Sequence, residues 1–363
     1  MTVVGWLLTR YLAGRVLLGI ALVSALLLGL FTLVELIREA RSLTGDYGPP
    51  SMLVYLLQTT PRRLYDIFPF SALIGTLIGL SGLASGNELV AMRSAGFDRG
   101  RIMLRALAAV SLCLLVLMLV AEWLIPDLEA QARSQREQAR TGQVQLRERG
   151  ALWLRDGEHV LRIGQAAWDG VDTLAFADIT VYTMAPGMQT EIIRHADSAR
   201  HDGRQWVLMD ARRLAVGTQP TEVAAGIVES TEHLASGLSP DLFAATVSRP
   251  RLLSLGDLRA MTAFLQDNGL DAERYVQAFW TRIYFPVNVL AMVLIGLPFV
   301  FRDARGGQRG LSLFAGVGLG MAYFVLIRVS QGVAVLLPLP MGITALLPAL
   351  LIVMIAVVLI RRL

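Results

Sequence analysis

Apolar residues fall into six long runs, and the polar residues between them gather into short loops and one long interval. A helix that crosses a bilayer needs about 20 mostly apolar residues. The runs Val16–Val34, Phe68–Ala84, Ala106–Ile125, Phe279–Phe301, Leu311–Ile327 and Gly342–Ile360 have that character and predict six spans. The first is longer than the apolar stretch of a signal peptide. Glu35 and Arg38 follow it where a small-residue cleavage site would stand, so it reads as a retained anchor.

The interval between the third and fourth runs changes period. Leu152–Arg155 and His159–Ile163 flank Asp156-Gly157, and Ala196–Arg200 and Gln205–Asp210 flank Asp202-Gly203. Short β-prone runs around such dipeptides read as hairpins. Ala175–Tyr182 alternates apolar and polar residues, and Thr221–Ser230 reads as a further strand. Several short strands with turn signals predict a sandwich or jelly roll. Asp127–Gln143 is charged and helical, an outward extension of the third span. Ser254 and Asp257 form a capping-box pattern that opens a helix to about Asn268, with Gly269 as its stop. The expected fold is an α-helical membrane protein of six transmembrane helices, three and three, with an inserted all-β, jellyroll-like domain. Residues 1–125 hold the first three spans, 126–274 the inserted domain with its flanking helices, and 275–363 the last three spans.

Composition narrows the chemistry. All 33 basic residues are Arg, so a P-loop, which requires Lys, cannot exist in this chain, and Schiff-base mechanisms are excluded. The four histidines (His159, His195, His201 and His233) show no metal-ligand spacing, and no G-x-S-x-G elbow is present. The single cysteine, Cys113, lies in an apolar run and reads as a small buried hydrophobe. The expectation is a protein that is not an enzyme and carries no cofactor of its own.

Arginine also sets orientation. Arg10 and Arg15, Arg93 to Arg105, Arg302 to Arg309 and Arg361 with Arg362 all fall on one side of six spans. By the positive-inside rule that side is cytoplasmic, and both termini lie there. The interval 126–274 then lies outside, with 16 Arg against 21 Asp and Glu, whereas the rest of the chain has 17 Arg against 8 acids. A basic membrane part beside an acidic outer domain points to an anionic ligand near the membrane part, although positive-inside topology itself supplies some of the excess.

Charges beside membrane spans are costly and mark candidate sites. Glu35 and Arg38 follow the first span, Arg62 precedes the second, and Arg328 lies near the outer end of the fifth. Arg forks sharing one cavity would hold phosphate or carboxylate groups. Otherwise they snorkel to the headgroup zone without a ligand, the better reading for Arg63 and Arg282. Gly316, Gly318 and Gly320 form a close-packing face in the fifth span. Between the second and third spans, Asn87–Phe97 reads as a short docking helix: Glu88 carries the charge, and Leu89, Val90 and Met92 offer apolar contacts. An acid at that point also favours its own helix N-terminus, whatever else it does.

The runs Thr60-Pro61-Arg62-Arg63, Phe68-Pro69-Phe70, Leu80-Ser81-Gly82-Leu83 and Asn87-Glu88-Leu89-Val90-Ala91-Met92-Arg93-Ser94-Ala95-Gly96 resemble the lipopolysaccharide export permeases of the LptF/LptG family. The resemblance covers essentially the whole chain. Glu122-Trp123, the helix with Arg133 and Arg136, and Asp271-Ala272-Glu273-Arg274-Tyr275 look closer to the LptG branch than to LptF. The resemblance implies a Gram-negative inner-membrane subunit of an ABC-type transporter that extracts lipopolysaccharide. It implies pairing with a sister permease (LptF), a dimeric cytoplasmic ATPase (LptB) that uses ATP and Mg, and delivery through LptC to the periplasmic bridge protein LptA. No nucleic acid is involved. It places Glu88, Leu89, Met92 and Arg93 at the contact with the ATPase, in a coupling helix at about 86–98. Glu35, Arg38, Arg62 and Arg328 fall at the substrate cavity. The alternative is a non-transporting scaffold whose outer β domain binds a partner.

Overall fold

The computed structural model describes residues 3–43, 47–141, 152–156, 158–168, 174–185, 189–201, 205–215, 227–235, 250, 253–302, 309–336 and 341–362. In chain order the elements are α1 (Val3–Ala40), α2 (Pro49–Gln58), α3 (Thr60–Ser85), α4 (Glu88–Ser94), α5 (Arg99–Trp123) and α6 (Ile125–Thr141). Strands β1 (Leu152–Asp156), β2 (His159–Trp168), β3 (Leu174–Ala185), β4 (Gln189–His201), β5 (Gln205–Ala215) and β6 (Ile227–Ala235) follow. Helices α7 (Leu255–Asp267), α8 (Glu273–Arg302), α9 (Arg309–Leu336) and α10 (Met341–Arg362) complete the chain. Six of the helices, α1, α3, α5, α8, α9 and α10, contain stretches long and apolar enough to cross a membrane.

The 38 residues of α1 measure about 57 Å at 1.5 Å each, against about 30 Å of hydrocarbon. The helix therefore runs well past the apolar stretch Val16–Val34 and carries Glu35 and Arg38 on its last turns. The ten-residue α2 has no counterpart in the sequence-based expectation, being too short to register as a span. The chain divides into two compact units. One comprises Met1–Ser42, Leu56–Glu129 and Val276–Leu363; the other comprises Leu43–Tyr55 and Ala130–Tyr275.

In the membrane unit α3 is the central helix, packed against α1, α5 and α9. Leu73, Leu77, Leu80 and Leu83 are fully buried. Glycine sets how closely its neighbours approach. Gly75-Thr76-Leu77-Ile78-Gly79 is a G-x-x-x-G run facing Gly19 of α1. A Cβ on Gly75 would lie 2.5 Å from Ile20 Cα, and one on Gly79 would lie 2.6 Å from the Arg15 carbonyl oxygen. No side chain fits between the two backbones. Leu73 sits against Gly296 of α8 and Gly320 of α9, and a Cβ on Gly316 would meet Leu77 at 3.3 Å. Of the three glycines expected to form a packing face, Gly316 and Gly320 do so. Gly318 faces open space, because it lies two residues from each, on the other side of the helix.

The inserted unit contains one six-stranded antiparallel sheet in the sequential order β1 to β6. Both expected hairpins are present, with Leu152 paired to Ile163 and Ala199 to Leu208. Their turn residues 157 and 202–204 lie outside the described residues, as does 221–226 of the expected strand Thr221–Ser230. Ser254 and Asp257 make the reciprocal capping box of α7, and Gly269, at φ 65°, lies just beyond its end.

The alternation expected of Ala175–Tyr182 is broken at Asp178. Phe176 is buried on one side of it and Ile179 and Val181 on the other, so the buried phase shifts by one residue. The same shift separates Ala196 from Ala199 in β4 and Leu208 from Ala211 in β5. By register Asp178, Asp197 and Asp210 stand in one row across these strands. Asp178 and Asp210 both have φ 55°, a left-handed conformation that Asp tolerates better than most residues. Gly164 flanks the row in β2, where a Cβ would lie 2.8 Å from that of Asp178. The row thus kinks the sheet, as bulged positions do.

A leucine at Gly75 is expected to force α1 and α3 apart at a cost of about 1–3 kcal/mol or more. The thermal midpoint of the detergent-solubilised protein should fall accordingly, while Gly318→Leu, which meets open space, should leave it within error.

Candidate functional site

The α3–α5 connection builds a rigid, outward-facing element from very few residues. Asn87, at φ 60°, turns the chain out of α3, and α4 follows for seven residues. It is closed by a Schellman arrangement: Phe97 N–H donates to the Met92 carbonyl at 3.0 Å and Gly96 N–H to that of Arg93 at 3.1 Å, with Gly96 at φ 90°. Asp98 then caps α5 by accepting from Arg101 N–H at 3.1 Å.

Leu89 and Met92 are buried in the membrane-unit core, and Phe97 packs against it. These two residues were expected among the partner contacts. They instead point inward and anchor α4, because a one-sided apolar face this close to the core is buried intramolecularly first. Val90 and Arg93 are exposed and Glu88 is half-buried. The Glu88 side chain lies back over Gly86, where a Cβ would be 3.3 Å from its Oε1. No hydrogen bond or ion pair engages its carboxylate among the described residues, and Asn87 makes no side-chain cap. The outward surface of α4 is thus Glu88, Val90, Ala91, Arg93 and Ser94 on a braced scaffold.

The candidate residues at the other ends of the spans do not form a bare cationic cluster. Glu35 and Arg38, one turn apart on α1, pair at 3.0 Å, with the Arg38 side chain 71% exposed. Arg62 is largely buried, paired with Asp66 one turn later at 3.2 Å, and lies 5.4 Å over the Tyr65 ring. Tyr65 in turn stacks on Phe285 of α8 at 4.2 Å. Arg328 lies 5.1 Å over Phe324, which meets Phe70 at 4.7 Å. Arg62 and Arg328 thus sit on aromatic faces that join α3 to α8 and to α9, which orients guanidinium groups while leaving their charge in place.

The two arginines assigned to headgroup snorkelling do not snorkel. Arg63 donates to the Leu56 carbonyl at 3.0 Å and to Thr59 Oγ1 at 2.6 Å, and so closes the end of α2. Arg282 is only 8% exposed. It pairs with Glu122 at 3.3 Å and donates to the Ala121 carbonyl, tying the end of α5 to α8. The Arg62–Asp66 pair was legible as i, i+4 spacing on one helix. No local signal connects Glu122 with Arg282, which are 160 positions apart in the chain. Among the described residues no group of His, Cys, Asp and Glu is arranged to hold a metal ion.

Six spans split three and three, a β domain inserted at the split and a braced helix between the second and third spans define an integral membrane protein of the permease type. The chain belongs to the lipopolysaccharide export system permease LptF/LptG family, whose profile matches residues 10–362. It is 30% identical to the lipopolysaccharide export system permease protein LptG of Haemophilus influenzae over 88% of each chain. It is 27% identical to the protein of the same name from Escherichia coli K12 over 89% of each. It is accordingly a multi-pass inner-membrane permease.

Arg282→Leu removes the guanidinium from the half-exposed Glu122 carboxylate and is expected to destabilise the membrane unit by about 1–3 kcal/mol, whereas Arg282→Leu with Glu122→Leu should recover most of the loss. Thermal midpoints of the single and double variants in detergent would check this.

Proposed function

We propose that this permease extracts lipopolysaccharide from the outer leaflet of the inner membrane and passes it through its β domain to a periplasmic bridge. In this reading both termini and α4 are cytoplasmic and the inserted domain is periplasmic. The chain pairs with a sister permease of the LptF type. A dimeric ATPase of the LptB type, using ATP and Mg, docks on α4, and LptC with LptA receives the lipid. The observation that carries the reading is the family match over nearly the whole chain, together with the Glu88 carboxylate at the start of the braced α4.

The physical logic is consistent with it. Moving a multi-acyl lipid out of a bilayer exposes CH₂ groups at about 0.8 kcal/mol each. That work needs a motor. The chain has no Lys and hence no P-loop, so hydrolysis belongs to another polypeptide. Glu88 offers that polypeptide a carboxylate for a charge-assisted contact with Arg. On the opposite side, the exposed Arg38 beside Glu35 is the guanidinium best placed to meet lipid phosphate first. Arg62 and Arg328, on their aromatic seats, are the further candidates.

In vesicles reconstituted with the sister permease and the ATPase, Glu88→Ala is expected to insert normally but to lower ATP-dependent lipid release about tenfold, the loss of roughly 1.4 kcal/mol of charge-assisted contact. Unchanged release would remove the coupling role and favour a scaffold. Arg38→Glu should reduce photo-crosslinking to lipopolysaccharide; full crosslinking would leave Arg38 as a headgroup residue only.

A further inference from the structure

The apolar face of the inserted sheet is shut. Ile163, Ile179 and Val181 on one side of the aspartate row, and Phe176, Trp206 and Leu208 on the other, are all almost inaccessible to solvent. On that same face lies an ion pair, Arg194 Nε donating to Glu232 Oε1 at 2.6 Å, with the two side chains 9% and 14% exposed. Arg194 Nη1 also donates to Thr183 Oγ1 at 2.6 Å.

The register shows what this pair spans. Arg194 is on β4 and Glu232 on β6, and Glu232 aligns through Leu208 with Ala199, beyond the aspartate row from Arg194. In a flat sheet the two backbones would be separated by roughly 16 Å along the strands and roughly 10 Å across them. That exceeds the combined reach of the two side chains. The contact therefore requires the sheet to fold over its own apolar face at the row of Asp178, Asp197 and Asp210. Arg194 belongs to one half of the fold and Glu232 to the other. On the outer face Arg162 holds Asp178 at 3.2 Å, and that contact stays on the bend itself. Arg194–Glu232 is an ion pair that joins the halves.

A buried ion pair adds little stability over apolar residues of the same volume, and its best-attested use is to specify one arrangement or to switch. Arginine is also the side chain best matched to phosphate, in the same fork geometry that it offers a carboxylate. We propose that Arg194–Glu232 is a displaceable latch that holds the folded sheet closed, and that an anionic acyl lipid opens it by taking Arg194 on a phosphate while its chains enter the apolar face. This inference rests on the proposed lipid-export function for its ligand, but the latch itself is testable without that ligand.

The test uses the full chain with Cys113→Ser, spin-labelled at Glu158→Cys and His233→Cys, exposed positions on the two halves. Electron–electron distance measurements then report opening. Without lipid, Glu232→Gln, which leaves Arg194 without its carboxylate, is expected to raise the open population about tenfold, whereas Arg194→Leu with Glu232→Leu, which strands no charge, should stay closed. Lipid A should open the parent chain, and lipid A stripped of its phosphates should do so about tenfold less well. A distance that stays closed in Glu232→Gln while lipid A lengthens that of the parent chain would overturn the latch. Equal opening by the phosphate-free lipid would overturn the role of Arg194 in receiving the anion. Opening of Glu232→Gln with no response of the parent chain to lipid A would uphold the latch and overturn the lipopolysaccharide reading instead.

Discussion

Helices inside a bilayer gain almost nothing from burying apolar surface against one another, since lipid is as apolar as leucine, and they associate through close packing and polar contacts. The backbone contact of α1 with α3 at Gly19, Gly75 and Gly79 is therefore the interaction on which the membrane unit depends. It brings the longest helix against the most buried one and fixes α3 as the axis. Leu73 and Leu77 then take their places against the glycines of α8 and α9. Helix α4 follows the end of α3 and is braced against the same core through Leu89, Met92 and Phe97, so it is joined to the axis of the unit by packed side chains and not by a loop alone.

The second constraint is charge. A chain whose every basic residue is Arg has only guanidinium groups with which to satisfy buried acids. It uses their fork geometry repeatedly: Arg282 takes Glu122 and a carbonyl, Arg62 takes Asp66 and a ring face, and Arg194 takes Glu232 and a hydroxyl. Each of these is a group that Lys, a compact point charge, would serve less well. The arrangement separates arginines buried in the fold from exposed ones such as Arg38, which lies at the surface beside Glu35.

The β domain applies the same economy to backbone. Its bend comes from single residues in adjacent strands, two of them aspartates in the left-handed region, lined up by register with a glycine beside them. Because the inward phase shifts together in β3, β4 and β5, the apolar face stays continuous through the bend. A sheet folded in this way encloses an apolar interior, with an arginine at its closure.

Much of this was legible before any coordinates. Span number, the three-and-three split, the hairpins about Asp156 and Asp202, the capping box at Ser254 and the short helix at Glu88 all follow from local periodicity and turn chemistry. Such signals act over a few residues and need no partner. The G-x-x-x-G run of α3 and the i, i+4 pair Arg62–Asp66 were equally local, and were there to be read. What the amino-acid order alone determined is therefore the set of elements apart from α2, the membrane class and the absence of a P-loop. Tertiary structure decided which face each element turns inward. Leu89 and Met92 became anchors and not contacts, and Gly318 was left out of the packing seam. Arg282 met Glu122, and Arg194 met Glu232 across a folded sheet. Those choices join residues distant in sequence, and their energies exist only once the intervening chain has brought the groups within a few ångströms.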